Sequence, residues 1–190
     1  MKLFWQYWQQ RLASIRHYLF LLCSGRMGNY LITGRPGSGK STVIKELCRR
    51  GYQAFNTDDL PNVTQLEEQV SGKTVPWPSG PVNWKKYIWN WQEDGLKELL
   101  SLNGDVFVGA IVGNQKQYYS LFDKIFALTV TGDTLQRRLN THGHERTDDE
   151  KSRALAVHEE KQSRFKEQGL ILIPADRPVL EIVDELIARL

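Results

Sequence analysis

A chain of 190 residues and 22.0 kDa fits a single domain, and its 41% hydrophobic and 25% charged residues supply a core and exclude wholesale disorder. Fifteen glycines and seven prolines without a fixed period exclude collagen, no repeat of solenoid length occurs, and Cys23 and Cys48 are too few for a disulfide framework. The net charge of +3 is uneven. Lys2, Arg11, Arg16 and Arg26 put four positive charges and no acid in residues 1–26, which leaves −1 on the other 164 residues and no broad basic surface for a nucleic-acid duplex.

In the basic head, Phe4, Trp8, Leu12, Ile15, Leu19 and Leu22 recur at three- and four-residue steps, the period of an apolar helical stripe. The apolar run Tyr18 to Cys23 is too short to span a bilayer, and Arg16 and His17 interrupt what a secretory signal would need. Residues 1–26 therefore read as a basic amphipathic extension and residues 27–190 as the domain. Three readings of the extension stay open: a segment docked on the body or a partner, one resting on an anionic membrane surface, or an addition outside the ancestral domain. The expected compartment is the reducing cytoplasm.

From Asn29 onward strand and helix signals alternate. A strand is expected at Tyr30–Thr33, then a Gly-rich turn, a helix over about 40–50 and a second strand over Tyr52–Phe55. Residues 61–83, punctuated by Pro61, Pro76, Pro78 and Pro81, read as irregular. A helix is predicted over 84–102, a third strand at Val106–Val108, a short helix at Tyr118–Phe122 and a fourth strand at Ile125–Val130. Asp133 is expected to cap a helix over 134–141, and Thr147-Asp148-Asp149-Glu150 has capping-box spacing for a polar helix running to about Gln168. A strand at Leu170–Ile173 and a helix over 179–190 complete the chain. This alternation predicts an α/β fold: three layers, a parallel sheet with helices on both faces.

The stretch Gly34-Arg35-Pro36-Gly37-Ser38-Gly39-Lys40-Ser41-Thr42 satisfies every fixed position of G-x-x-x-x-G-K-[ST], the Walker A or P-loop pattern. Glycines let the backbone curl so that successive N–H groups face a phosphate, and the helix that follows adds its positive end. Lys40 reaches the β- and γ-phosphates in such a cradle and the Ser41 hydroxyl ligates Mg²⁺. The expected ligand is a nucleoside triphosphate.

This version of the loop resembles the small P-loop kinases of the adenylate, shikimate and gluconate kinase group. Asn56-Thr57-Asp58-Asp59 resembles the Asp-x-Asp element with which shikimate-type kinases hold Mg²⁺ and the acceptor hydroxyl, and Gly109 resembles the glycine that begins their substrate-binding turn. Val108 to Asn114, Leu121-Phe122-Asp123 and Thr134-Leu135-x-x-Arg138-Leu139 are similar to bacterial kinase-like members. The resemblance covers about residues 28–190 and implies a five-stranded parallel sheet, phosphoryl transfer from ATP with Mg²⁺, and a short mobile lid.

Asp58 falls at the second acidic position of that element, with Asn56 at the first, so the metal loses one charged ligand and is expected on Ser41, phosphates and water, with Asp58 behind them. Asp58 orients or deprotonates the acceptor on this reading; a turn or helix cap is the structural alternative. Arg137, Arg138 and Arg146, around His142 and His144, resemble a lid in position; Arg138 is the first choice for a cation on the transferring phosphoryl group. Pro174-Ala175-Asp176-Arg177-Pro178 resembles the loop bordering adenine, with Arg177 placed to stack on the base and a plain turn capped by Asp176 as the alternative. On the acceptor side, Trp84, Ile88 and Trp91 at i, i+4 and i+7 read as the buried stripe of one helix, which leaves Trp77 and Trp89 as ligand candidates.

These residues point to a Mg-ATP-dependent kinase of a small molecule, either nucleotide-like or a hydroxylated metabolite. Two alternatives stay open. One is a nucleotide-dependent regulatory module without an acceptor, which Asn56 and the lack of an acid closing the third strand favour; the other is a polynucleotide 5′-end kinase, which the charge of the body opposes.

Overall fold

The computed structural model describes residues 27–141 and 158–190, with Ser152 and Ala156 between them. The extension 1–26, His142, His144, Arg146 and the capping box at 147–150 lie outside the described residues.

The central strand, β1 (Asn29–Gly34), is a β-rich run whose successive side chains enter opposite cores. Ile32 meets Val43, Ile44 and Leu47 of α1 (Lys40–Arg49) on one face, and Leu31 joins the core of the other face. After α1 come β2 (Gln53–Asn56), a 3₁₀ turn at Thr57–Asp59, β3 (Thr64–Glu68), β4 (Thr74–Val75), β5 (Tyr87–Trp91) and α2 (Glu93–Leu100). Then follow β6 (Val106–Gly109), a 3₁₀ stretch at Gln115–Leu121, β7 (Lys124–Thr129), α3 (Gly132–Thr141), α4 (His158–Glu167), β8 (Ile171–Pro174) and α5 (Val179–Ala188).

Five strands form one parallel sheet in the order β2-β6-β1-β7-β8, with Ile32 opposite Gly109 on one side and Phe126 on the other. α1 and α5 (Ile182, Val183, Leu186) cover one face; Leu96 and Leu99 of α2, with Trp91 and Phe122, cover the other. This is the expected three-layer parallel α/β fold, its inner strands β6, β1 and β7 largely buried and its edge strands β2 and β8 half-buried. From β1 the chain runs outward to β2, returns to β6, and then crosses β1 to reach β7. That reversal opens a crevice at the carboxyl ends of β1 and β6, where open α/β sheets place their ligands.

The acceptor-side segment departs from expectation. Residues 61–83 are irregular only in part, since β3 and β4 lie within them, and 84–102 is not one helix: β3, β4 and β5 form a second, antiparallel sheet in the order β4-β3-β5. Thr64 pairs with Trp91, Leu66 with Trp89 and Glu68 with Tyr87. Tyr87, Trp89 and Trp91 therefore lie on one face of a strand, and their two-residue period, with strand-favouring aromatics, outweighs the helical spacing of Trp84, Ile88 and Trp91. Trp91 is buried, whereas Trp84 is 55% exposed and belongs to the loop before β5. The prolines hold their loops as expected, before β3 and between β4 and β5. Two further capping expectations fail. Thr131 precedes α3 and its hydroxyl accepts the Thr134 N–H at 3.3 Å, so Thr131 and not Asp133 caps that helix; Pro178 rather than Asp176 precedes α5.

Candidate active site

The loop between β1 and α1 closes tightly on itself. At Gly34 (φ +153°) a Cβ would meet Ser38 Oγ at 2.6 Å and the Leu128 carbonyl at 2.8 Å, so only glycine fits. Gly39 (φ +101°) turns the chain into α1 in the left-handed region, and its carbonyl accepts the Thr42 and Val43 N–H groups at 3.0 Å each. Arg35 accepts the Ser38 N–H at 3.0 Å, and Pro36 and Gly37 form the tip between them. The first turn of α1 carries no acid and no side-chain cap, so its positive end stays available to an external anion. Lys40 is buried beneath the loop, its Nζ donating to the Gly34 carbonyl at 2.6 Å and the Arg35 carbonyl at 3.3 Å. Ser41 and Thr42 are exposed on the first turn.

This donor set fits a polyphosphate: curled backbone amides, a helix end and one cation. It also fits a Mg²⁺ held chiefly by phosphate and water. Ser41 would supply one hard hydroxyl ligand, and among the described residues no three His, Cys, Asp or Glu side chains gather into a cage.

Arg138 approaches the cradle from α3. Its Nη1 donates to the Gly37 and Ser38 carbonyls at 3.2 and 2.9 Å, and its Nη2 to the Ala175 carbonyl at 2.7 Å. The guanidinium thus braces the outside of the P-loop against the loop after β8, and burial depresses its pKa although Asp176 opposes the shift. Asp176 accepts the Thr131 N–H at 3.0 Å and the Thr131 hydroxyl at 2.9 Å. Burial pushes the Asp176 carboxyl up, but hydrogen bonds from Thr134 and Thr131 and the charge of Arg138 outweigh it and hold the group below its ordinary value. Arg177 donates to the Pro174 carbonyl at 3.1 Å and pairs with Glu185, so its side chain is anchored to α5. Arg137 donates to the Thr134 hydroxyl at 3.1 Å.

Two strands away from β1, the 3₁₀ turn after β2 presents Asp58 and Asp59. Both are exposed and they diverge: Asp59 Oδ2 accepts from Asn56 Nδ2 at 2.9 Å, and Asp58 Oδ1 accepts from the indole N–H of Trp89 at 2.9 Å. The indole of Trp91, two residues along the same face of β5, donates to the buried Thr57 hydroxyl at 3.0 Å. Sequence reasoning missed this pairing of Trp89-x-Trp91 with Thr57-Asp58, although the aromatic alternation in Tyr87-Ile88-Trp89-Asn90-Trp91 carries the signal. Asn114 adds a second tie. The Asn114 side chain mimics a neighbouring strand, accepting the Trp91 N–H at 3.0 Å and donating to the Trp91 carbonyl at 2.9 Å, while the Gly113 N–H donates to the Trp89 carbonyl at 2.8 Å. These bonds tie the small sheet over the carboxyl end of β6.

A cleft of about 250 Å³ opens at the switch point beside the P-loop, lined by Thr33, Arg35, Val112, Gln115, Lys116, Tyr119 and Arg164 among others. A buried relay runs along its wall. Thr33 Oγ1 donates to Gln115 Oε1 at 3.1 Å, and Gln115 Nε2 donates to the Tyr119 hydroxyl at 3.1 Å. Burial raises the pKa of that phenol, against a smaller opposing effect of Gln115. Among the described residues no helix is long and apolar enough to cross a membrane.

Comparison with solved structures shows the same fold in small kinases of low sequence identity. Shikimate kinase from Bacteroides thetaiotaomicron aligns over 87% of this chain and 100% of its own, with 19% identity and a TM-score of 0.53. A gluconokinase from Sinorhizobium meliloti 1021 aligns over 85% and 90%, with 16% identity and a TM-score of 0.50. Deoxyadenosine kinase from M. mycoides, determined with bound dATP, aligns over 85% and 98%, with 15% identity and a TM-score of 0.51. No curated protein matches the chain. The profile of one domain family, AAA_18, matches residues 31–158, from the middle of β1 to the start of α4. With the cradle, the strand order and that match in agreement, the chain belongs to the AAA_18 family of AAA domains and has the fold of the small P-loop kinases.

Proposed function

We propose that this protein transfers the γ-phosphoryl group of ATP, with Mg²⁺, to a small-molecule acceptor held at the carboxyl edge of the sheet. The observation that carries the reading is the juxtaposition of a complete phosphate cradle with an open cleft at the β1/β6 switch point, flanked on the β2 side by an exposed carboxylate, Asp58. When bound, Mg²⁺ neutralises charge on the β- and γ-phosphates. Gly34 to Gly39 supply amides, Lys40 leaves the Gly34 and Arg35 carbonyls to contact phosphate oxygens, and Ser41 offers its hydroxyl to the metal, with Thr42 in the same turn. Arg138 holds the loop in shape beside the segment 174–178, which with Arg177 borders the base; in this role it is a positioning residue. Asp58 uses Oδ2 to orient the acceptor or accept its proton. Residues 27–190 form the catalytic domain, residues 1–26 are an accessory extension, and the protein works in the cytoplasm.

The test is a screen of the purified full-length chain with γ-labelled ATP and Mg²⁺ against nucleosides, nucleotides, sugars and oligonucleotides. Label transfer to a small molecule is expected. Tight ATP binding without transfer to any of them would favour the regulatory reading, and transfer to oligonucleotide 5′ ends alone would replace the acceptor class.

A further inference from the structure

The small antiparallel sheet and the loop that enters it hold an aromatic cluster that the fold does not need. Trp91 and Val63 already fill the core beneath this sheet, and Leu66, opposite Trp89, is itself buried. Yet Trp77 and Trp84 are 59% and 55% exposed, and they assemble with Trp89. The Trp77 ring lies 5.3 Å from that of Trp89 at 87° and 6.2 Å from that of Trp84 at 68°. Edge-on packing of this kind sets an edge against a face and leaves other indole faces in water, an apolar surface that monomeric proteins seldom keep without use.

The cluster has a polar floor. Trp89 donates its indole N–H to Asp58 Oδ1 at 2.9 Å, which fixes the carboxylate beside the rings, and Asp58 Oδ2 makes no hydrogen bond among the described residues. An ionised carboxylate only accepts, so the group it recognises must donate: a hydroxyl or an amine. The local charge narrows the choice. Across residues 56–59 and 77–91 the ionisable acids and bases other than tyrosine are Asp58, Asp59, Lys85 and Lys86, and Lys86 is engaged by Glu68 at 3.4 Å. Asp59 meets the neutral Asn56 and Asp58 the indole N–H of Trp89, so neither carboxylate is paired with a cation among the described residues. An anionic group brought to Asp58 Oδ2 is repelled by that carboxylate, whereas a neutral ring offers an apolar face to indole and hydroxyls to Asp58.

From this geometry we infer that Trp77, Trp84 and Trp89 form a stacking platform for the acceptor, and that the acceptor is a neutral, hydroxylated ring compound whose hydroxyl is presented to Asp58 Oδ2. The inference rests on the kinase reading and sharpens it, choosing a hydroxyl over a phosphate as the accepting group. Sugars and cyclic polyols share this chemistry with nucleosides, and the experiment separates the two.

Saturation-transfer NMR and equilibrium dialysis on the full chain would probe pools of neutral monosaccharides and cyclic polyols, pools of nucleosides, and the phosphomonoesters of both. Because Trp77 and Trp84 are exposed, Trp77→Ala and Trp84→Ala leave the core intact, as far-UV circular dichroism verifies, while Trp89→Phe keeps a ring and removes the N–H. One neutral pool should bind saturably and its phosphomonoesters about tenfold more weakly. Trp77→Ala should weaken binding of the neutral ligand roughly tenfold, the scale of one lost aromatic contact, with ATP affinity held within twofold. Saturable binding by the monosaccharide pool identifies a sugar acceptor, and by the nucleoside pool a nucleoside. No binding by any neutral ring, equal binding by wild type and Trp77→Ala, or preference for the phosphomonoesters would overturn the platform. So would a change in sedimentation of Trp77→Ala and Trp84→Ala without loss of ring binding, which would make the patch a protein contact. Failure of the kinase reading looks different: Trp77-dependent ring binding would persist while labelled ATP never reached the ring compound.

Discussion

The phosphate cradle and the small antiparallel sheet are the two halves of the proposed site, built on opposite plans. The cradle is contiguous. Nine residues, Gly34 to Thr42, make it, and its chemistry lies largely in backbone amides, so the glycine pattern that shapes it is also the pattern that announces it. The acceptor half is dispersed. Thr57 and Asp58, Trp77 and Trp84, Trp89 and Trp91, and Asn114 come from four places in the chain, joined by side-chain hydrogen bonds of 2.9–3.0 Å and edge-on ring contacts. The difference teaches that a phosphate, which any curled backbone can bind, is read from local sequence, whereas an acceptor is read from tertiary contacts.

The largest effect should come from the contiguous half. Lys40→Ala removes the one cation fixed beneath the loop, and labelled-ATP turnover should fall by about a thousandfold, at the upper end of what one lost charge-stabilising donor costs. Calorimetry should show weakened ATP binding by a folded domain; wild-type affinity in the variant would break the cradle assignment itself.

Asp58→Asn tests the dispersed half. It keeps the Trp89 hydrogen bond and removes the negative charge, so ATP affinity should hold while single-turnover transfer to an identified acceptor drops about a hundredfold, the lower end for a positioned base. Equal transfer rates would remove Asp58 from the mechanism. Asp59→Asn, whose partner is Asn56, should be much milder.

Asn114→Ala leaves both backbone groups of Trp91 without their partner and should cost about 2 kcal/mol in urea denaturation, the scale of partly buried polar groups left unpaired. Its acceptor affinity should suffer more than its ATP affinity. A variant as stable as wild type would mean that the small sheet is held by its apolar core alone.

The smallest effect concerns α1, far from either half of the comparison. Hydrogen bonds from Arg49 and Arg50 hold the Glu46 carboxyl at about 2, below its ordinary 4.5. A depressed folded-state pKa gives stability that is present above 4.5 and lost as pH falls through 2, so the advantage of wild type over Glu46→Gln should be full at pH 7 and shrink between pH 4.5 and 2. Urea melts of both proteins at pH 7 and pH 3 measure it; a gap independent of pH would assign the effect to packing.

The main sheet and the cradle were legible in the chain because their determinants are short-range. Buried parallel strands such as Tyr30–Thr33 and Ile125–Val130 read as apolar runs, Gly169 (φ +74°) ends the helix before β8, and the loop motif is continuous. Asn56 and the diverging pair Asp58 and Asp59 were also placed at the end of β2. Trp84, Ile88 and Trp91 misled because their spacing fits a helix, and only pairing of β5 with β3, Thr64 against Trp91 and Leu66 against Trp89, decides for the strand. Arg138 has the composition of a lid residue, but three backbone carbonyls converging from two loops decide that it braces the cradle. Arg177 is drawn to Glu185, and Thr131 takes the cap expected of Asp133, for the same reason. By itself, then, the sequence determined the three-layer fold and the phosphate site, since the 3.6 and 2.0 periods and a glycine loop act within a few residues. The tertiary structure alone decided how the small sheet is joined to the end of β2 and to the chain after β6, because hydrogen bonds between Trp89 and Asp58 or Asn114 and Trp91 join residues more than twenty positions apart and leave no periodic trace.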